Sequence, residues 1–130
     1  MKTISLYLLT IPVFFAIDMV WLGLVARHFY RRNLGPLLRP EVNWAAAITF
    51  CLLYILGILV FAALERNAPA HAVLFGGLFG FFAYATYDLT NLATLKGWPV
   101  RVVIVDILWG VVLTATVSGA SFLIGRRLTP

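Results

Sequence analysis

Four long apolar runs, about Thr3 to Ala26, Asn43 to Leu64, Pro69 to Leu95 and Pro99 to Ile124, leave this chain few ways to fold. About 20 apolar residues in a helix cross a hydrocarbon layer of about 30 Å, and each run is that long. A soluble chain of 130 residues has too little volume to bury four such runs against one another. Composition agrees: 62% of the residues are apolar, 12% are charged and the mean hydropathy is +0.97, against about 45–50% and 25% in soluble domains. The expected fold is all-α, a polytopic membrane protein with a four-transmembrane-helix bundle. A single transmembrane domain over residues 1–130 is expected, with helices near 3–26, 43–64, 70–95 and 99–124.

The formal net charge of +5 comes from ten Lys or Arg against five acids. These cations lie between or just outside the apolar runs, which suits phosphate headgroups, with anionic headgroups expected at Arg27, Arg31, Arg32 and Arg39. Nucleic acid is not an expected partner, because no basic face is interleaved with stacking aromatics. Neither zinc-ligand spacing nor a Gly-rich phosphate loop is present. The lone cysteine, Cys51, rules out an intrachain disulfide and reads as buried bulk.

The first run follows Lys2 as a signal peptide would, but it continues through Trp21 into a basic segment and is too long for a signal core, so a retained helix is expected. Pro12 inside it removes one backbone hydrogen bond and predicts a kink. Arg27 to Val42 reads as the one sizeable loop, broken by Gly35, Pro36 and Pro40 and lying at the headgroups. The second run opens with Trp44 at an interfacial position and ends at Glu65 and Arg66. The third begins at Pro69 and carries Gly76 and Gly80, four apart, with Ala83 continuing the small face. Gly110, Thr114 and Ser118 repeat that spacing in the fourth run, so the two small faces are expected to pack together. Gly97 and Pro99 punctuate a tight hairpin between them.

Four crossings put both termini on one side. The first connection and the hairpin hold Arg27, Arg31, Arg32, Arg39, Lys96 and Arg101, against Lys2, Arg66, Arg126 and Arg127 on the other face. The positive-inside rule then places both connections in the cytoplasm and both termini outside; a six-to-four count leaves a dual or reversed orientation as the alternative.

Three acids fall inside the runs. Asp18 is nine residues before Arg27, Asp88 eight before Lys96 and Asp106 seven after Pro99, so each lies about 10–14 Å inside the same membrane face. A bundle lets carboxylates at one depth converge. Tyr84, Tyr87, Asp88 and Asn91 share helical spacing and read as one inward stripe, while Trp21 and Trp109 each follow an acid by three residues. The expected answers for the acids are protonation, hydrogen bonds to Tyr84, Tyr87 and Asn91, or pairing with Arg101 or Lys96 reaching in from the face. A charge at the bilayer centre costs roughly 2.5–3.5 kcal/mol or more, so three of them call for a reason. Two plainer readings stand beside a functional pocket: polar glue between helices, or a wet cytoplasmic third of the bundle. The similar phrases IDMVWLG and VDILWG run in opposite directions on the first and fourth helices, so they do not mark a simple parallel duplication.

At TYDLTNLATLKGWP, with DMVWLG before it and VDILWG after it, the chain resembles domain of unknown function 2177, a family of small bacterial predicted membrane proteins. That resemblance covers essentially the whole chain and implies a multi-pass protein of the bacterial cytoplasmic (inner) membrane. It brings no assigned activity and no catalytic residues.

Three function classes fit these observations. The first is a cytoplasmic-side pocket of Asp18, Asp88, Asp106, Tyr84, Tyr87 and Asn91, walled by Trp21 and Trp109 and bordered by Arg101. It would bind or transport a small cation or amphipathic molecule with proton coupling, and a homodimer would enlarge the space four helices enclose. The second is an intramembrane enzyme acting on a lipid or isoprenoid; no cofactor is evident, and three carboxylates without histidine would favour a divalent metal such as magnesium over zinc. The third is a non-catalytic partner or assembly factor, for which the packing faces at Gly76, Gly80 and Gly110 matter most.

Overall fold

A computed structural model of the chain describes residues 2–37, 43–63 and 67–128, and those residues are predominantly helical with no strand among them. The expectations for Arg39 as a headgroup anchor, Pro40 as a breaker and Glu65 and Arg66 as the end of the second run lie outside the described residues. Helix α1, Lys2–Val20, continues into a π-helical turn, Trp21–Val25; α2, Arg27–Leu34, leads to a 3-10 turn, Gly35–Leu37. Helix α3, Trp44–Ile58, also ends in a π turn, Leu59–Ala63; α4, Pro69–Thr94, and α5, Val100–Leu128, complete the chain. Thr3–Val25, Trp44–Ala63, Pro69–Thr94 and Val100–Leu128 are each long and apolar enough to span a membrane. The shortest, 20 residues, reaches about 30 Å. The protein is an all-α, four-span membrane protein.

One local expectation is corrected. The segment read as a loop from Arg27 is helical as far as Leu34, because its breakers, Gly35 and Pro36, come only at the end. Along α1 the helix is continuous through Pro12, and a departure from α geometry comes at Trp21, whose carbonyl accepts from the Ala26 N–H at 2.7 Å. Elsewhere the punctuation follows the residues. The Asn43 side chain caps α3 by accepting from the Ala46 N–H at 3.2 Å, Pro69 opens α4, and Gly97 turns the hairpin at φ 77°.

The tightest seam joins α4 to α5. A Cβ at Gly76 would come within 2.5 Å of the Ser118 Cβ, one at Gly80 would run into the Gly110 carbonyl, and one at Gly110 would meet the Tyr84 ring. Glycine is required here by a close backbone approach, in an environment where dispersion and interhelical hydrogen bonds replace water exclusion as the driving force. Ser118 Oγ donates to the Ala72 carbonyl at 2.7 Å across that seam. Helix α5 is also the post for the other spans: Tyr54 of α3 bonds Thr114 at 2.7 Å, and Thr10 of α1 bonds Ser121 at 3.0 Å. Phe14, Ile55, Ile58, Leu113 and Val117 form the apolar core between α1, α3 and α5. Large residues such as Leu53, Phe82 and Ile104 point outward and are mostly exposed, as a lipid-facing surface requires.

Three consequences are measurable by thermal or denaturant unfolding in detergent. Gly80→Leu forces α4 from α5 and should lower stability by about 2 kcal/mol or more. Gly77→Ala should stay within about 0.5 kcal/mol, because its Cβ meets Val111 at an ordinary 3.6 Å. Ser121→Ala removes the Thr10 contact and should cost about 0.6–1.7 kcal/mol, the range of interhelical hydrogen bonds in bilayers.

Candidate ligand cavity

Helices α1 and α5 run antiparallel, so their two Asp-x-x-Trp phrases meet head to tail. Trp109 Nε1 of α5 donates to Asp18 Oδ1 of α1 at 3.4 Å. In the other direction Trp21 Nε1 of α1 donates to the Tyr30 hydroxyl at 3.3 Å, and that hydroxyl donates to Asp106 Oδ1 of α5 at 2.8 Å. Between these two links the Trp21 and Trp109 rings stack, 4.4 Å apart and 6° from parallel. Each carboxylate is thus oriented from the neighbouring helix by a donor that carries no charge. Tyr30 lies on α2, outside the spans; burial, and after it the charge of Asp106, raise its phenol above the ordinary tyrosine value and keep it an O–H donor.

Asp18 and Asp106 line a cavity of about 670 Å³ at one end of the bundle. Helical spacing explains which residues reach it. Arg27, Tyr30, Arg31 and Leu34 make one face of α2, and Ala47, Phe50, Cys51 and Tyr54 make one face of α3, both following the three-and-four rule. Tyr84 and Tyr87 come from α4, Trp98 from the hairpin, and Val102 from α5. Eight of the cavity's eighteen lining residues are aromatic, and two carboxylates and two guanidinium groups are its charges. A second, apolar recess of about 340 Å³ shares Trp21 and Trp109 with the first.

Asp88 does not line the cavity. It is 0% exposed, and neither of its carboxylate oxygens has a hydrogen-bond partner among the described residues. Asp106 and Trp98 lie beside it, and the buried Trp98 N–H is also without a partner. A donor and an acceptor left unpaired next to each other are one small indole movement from a bond, and until then Asp88 is a costly group in this interior.

The structure therefore brings Asp18, Asp106, Tyr84, Tyr87, Trp21 and Trp109 to one cavity and places Asp88 just behind it, next to Asp106. Asn91 is half-buried, Arg101 is exposed, and neither lines the cavity. The expected pairing of the acids with Tyr84, Tyr87 and Asn91, or with Arg101 and Lys96, is replaced by Trp109 and Tyr30. The physical reason is the antiparallel crossing of α1 and α5, which sets each indole opposite the other helix's acid. Tyr30 and Trp98 had not been expected in the site. For Tyr30 the signal was available in the 27, 30, 31, 34 spacing; for Trp98 only its position in the turn after α4 pointed there.

Among the described residues, no group of three or more His, Cys, Asp or Glu side chains lies in position to hold a metal ion. No curated protein and no solved structure is detectably similar to this chain. The pattern of one family does match, over residues 3–123, and its description is predicted membrane protein. With nearly its whole length covered, the chain belongs to the DUF2177 family of predicted membrane proteins.

Proposed function

We propose that this protein binds, and passes across or along the bacterial inner membrane, an amphipathic cation whose charged end is taken by Asp18 and Asp106. One observation carries the reading: two carboxylates face a cavity rich in aromatic rings and, among the described residues, their hydrogen-bond donors are the neutral Trp109 and Tyr30, so their charge is left for a ligand. Aromatic faces add attraction for a cation, about 0.5–2 kcal/mol per well-placed ring. The volume of about 670 Å³ falls among small-molecule sites of roughly 300–1,000 Å³ and far exceeds that of an inorganic ion. The positive-inside rule puts the mouth, with Arg27, Arg31, Arg32, Lys96 and Arg101 around that end, on the cytoplasmic side. Protons and the cation compete for the same carboxylates, which supplies the coupling.

Titration of purified protein with octyltrimethylammonium, followed by tryptophan fluorescence, tests this. Saturable binding is expected for the cation and not for its neutral tert-butyl isostere. The Asp18→Asn, Asp106→Asn double variant should bind at least about tenfold more weakly, a loss of about 1.4 kcal/mol. Wild-type affinity should fall as the pH is lowered, because protonation removes the charge the ligand needs. Equal binding of the isostere, or an unchanged double variant, would refute the proposal.

A further inference from the structure

The cation reading leaves two of the cavity's four charges without a task. Arg27 and Arg31 are one turn apart on the face of α2 that lines the cavity and stay exposed at its mouth, whereas His28 and Arg32 of the same helix, equally exposed, do not line it. A long, partly exposed guanidinium at such a mouth can reach a phosphate that sits in the cavity while its stem packs on the wall. Among the described residues neither arginine is engaged by Asp18 or Asp106, whose partners are Trp109 and Tyr30. The cavity thus offers guanidinium donors on α2 and carboxylate acceptors on α1 and α5 at the same time. A guanidinium pair one helical turn apart, about 6 Å along the axis, suits the oxygens of a phosphodiester.

We infer that the ligand is a zwitterionic lipid, its phosphodiester held by Arg27 and Arg31 and its ammonium group by Asp18 and Asp106, with an acyl chain leaving past the stacked indoles. The inference rests on the cation reading and adds the anionic and apolar parts of the same molecule. The place for the chain is the second recess, of about 340 Å³, which shares Trp21 and Trp109 with the charged cavity and is otherwise lined by Ala16, Ile17, Val20 and Val25. Val20 and Val25 are more than half exposed, so this recess opens where lipid tails run. A soluble phosphate ester with an amine would satisfy the charges alone; the recess makes use of a tail.

The experiment is a fluorescence titration of the full chain in maltoside micelles with four probes: short-chain phosphatidylethanolamine, octylamine, short-chain phosphatidic acid and soluble glycerophosphoethanolamine. The zwitterionic lipid should bind at least about tenfold tighter than any of the other three. Arg27→Gln with Arg31→Gln should reduce its advantage over octylamine to about one. Arg32→Gln, the same charge removed from the outer face, should keep the advantage. Should the glutamine pair fail to fold, Arg27→Lys with Arg31→Lys keeps the charge without the guanidinium fork and should retain only part of it. Octylamine binding as tightly as the lipid, with the arginine variants unchanged, overturns this inference and leaves the cation reading standing. Octylamine failing to bind at all overturns both. Phosphatidic acid matching the zwitterionic lipid removes the ammonium half, and glycerophosphoethanolamine matching it removes the tail.

Discussion

The backbone contact between α4 and α5 governs the rest of this molecule. Where Gly80 meets Gly110 neither helix has room for a methyl group, and one turn further along the Tyr84 ring lies on Gly110. That closeness brings Asp88 and Asp106 side by side. It also aligns the hydroxyls of Thr114 and Ser121 with Tyr54 of α3 and Thr10 of α1, so one helix carries polar links to two others. In a bilayer such links and close packing replace the hydrophobic effect, which cannot favour one apolar partner over another. A wider seam would lose both the links and the shape of the cavity wall.

Placing carboxylates at this depth is costly, and the chain meets the cost in two ways. Asp18 is held by the Trp109 indole across the α1–α5 crossing and Asp106 by the Tyr30 phenol of α2, while the Trp21 and Trp109 rings stack at that crossing. Such partners orient a carboxylate without cancelling its charge, unlike an arginine or lysine. Asp88 is treated differently, being sealed from the cavity with the Trp98 N–H beside it and unpaired. Burying a polar group without partners costs several kcal/mol in an apolar medium.

Much of this could be read from residue spacing. The four spans follow from run length, and the α4–α5 seam from small residues at four-residue intervals: Gly76 and Gly80 on one side, Gly110, Thr114 and Ser118 on the other. The shared depth of Asp18 and Asp106 followed from counting inward from the loops. Helix α2 was hidden because its charge and the nearby Gly35, Pro36 and Pro40 resemble a loop, although Arg27, Tyr30, Arg31 and Leu34 already keep helical spacing. The Tyr84, Tyr87, Asp88, Asn91 stripe was too wide to be uniformly inward. Successive residues stand about 100° apart round a helix, and Tyr87 is 56% exposed while Asp88 is fully buried. Which donor each acid chooses depends on how two antiparallel helices slide past each other, and single-helix periodicity carries no information about that.

A chemical probe of the cavity is already built into the chain. Cys51, the lone cysteine, lines the cavity from α3 between Phe50 and Tyr54. The most direct measurement is its labelling rate, in oriented membranes, by a membrane-impermeant cationic methanethiosulfonate applied to each side in turn. A cavity open to one face and lined by unneutralised carboxylates predicts labelling from the cytoplasmic side only, slowed severalfold by octyltrimethylammonium. Labelling that proceeds equally from both faces, or at a rate octyltrimethylammonium leaves unchanged, would contradict it.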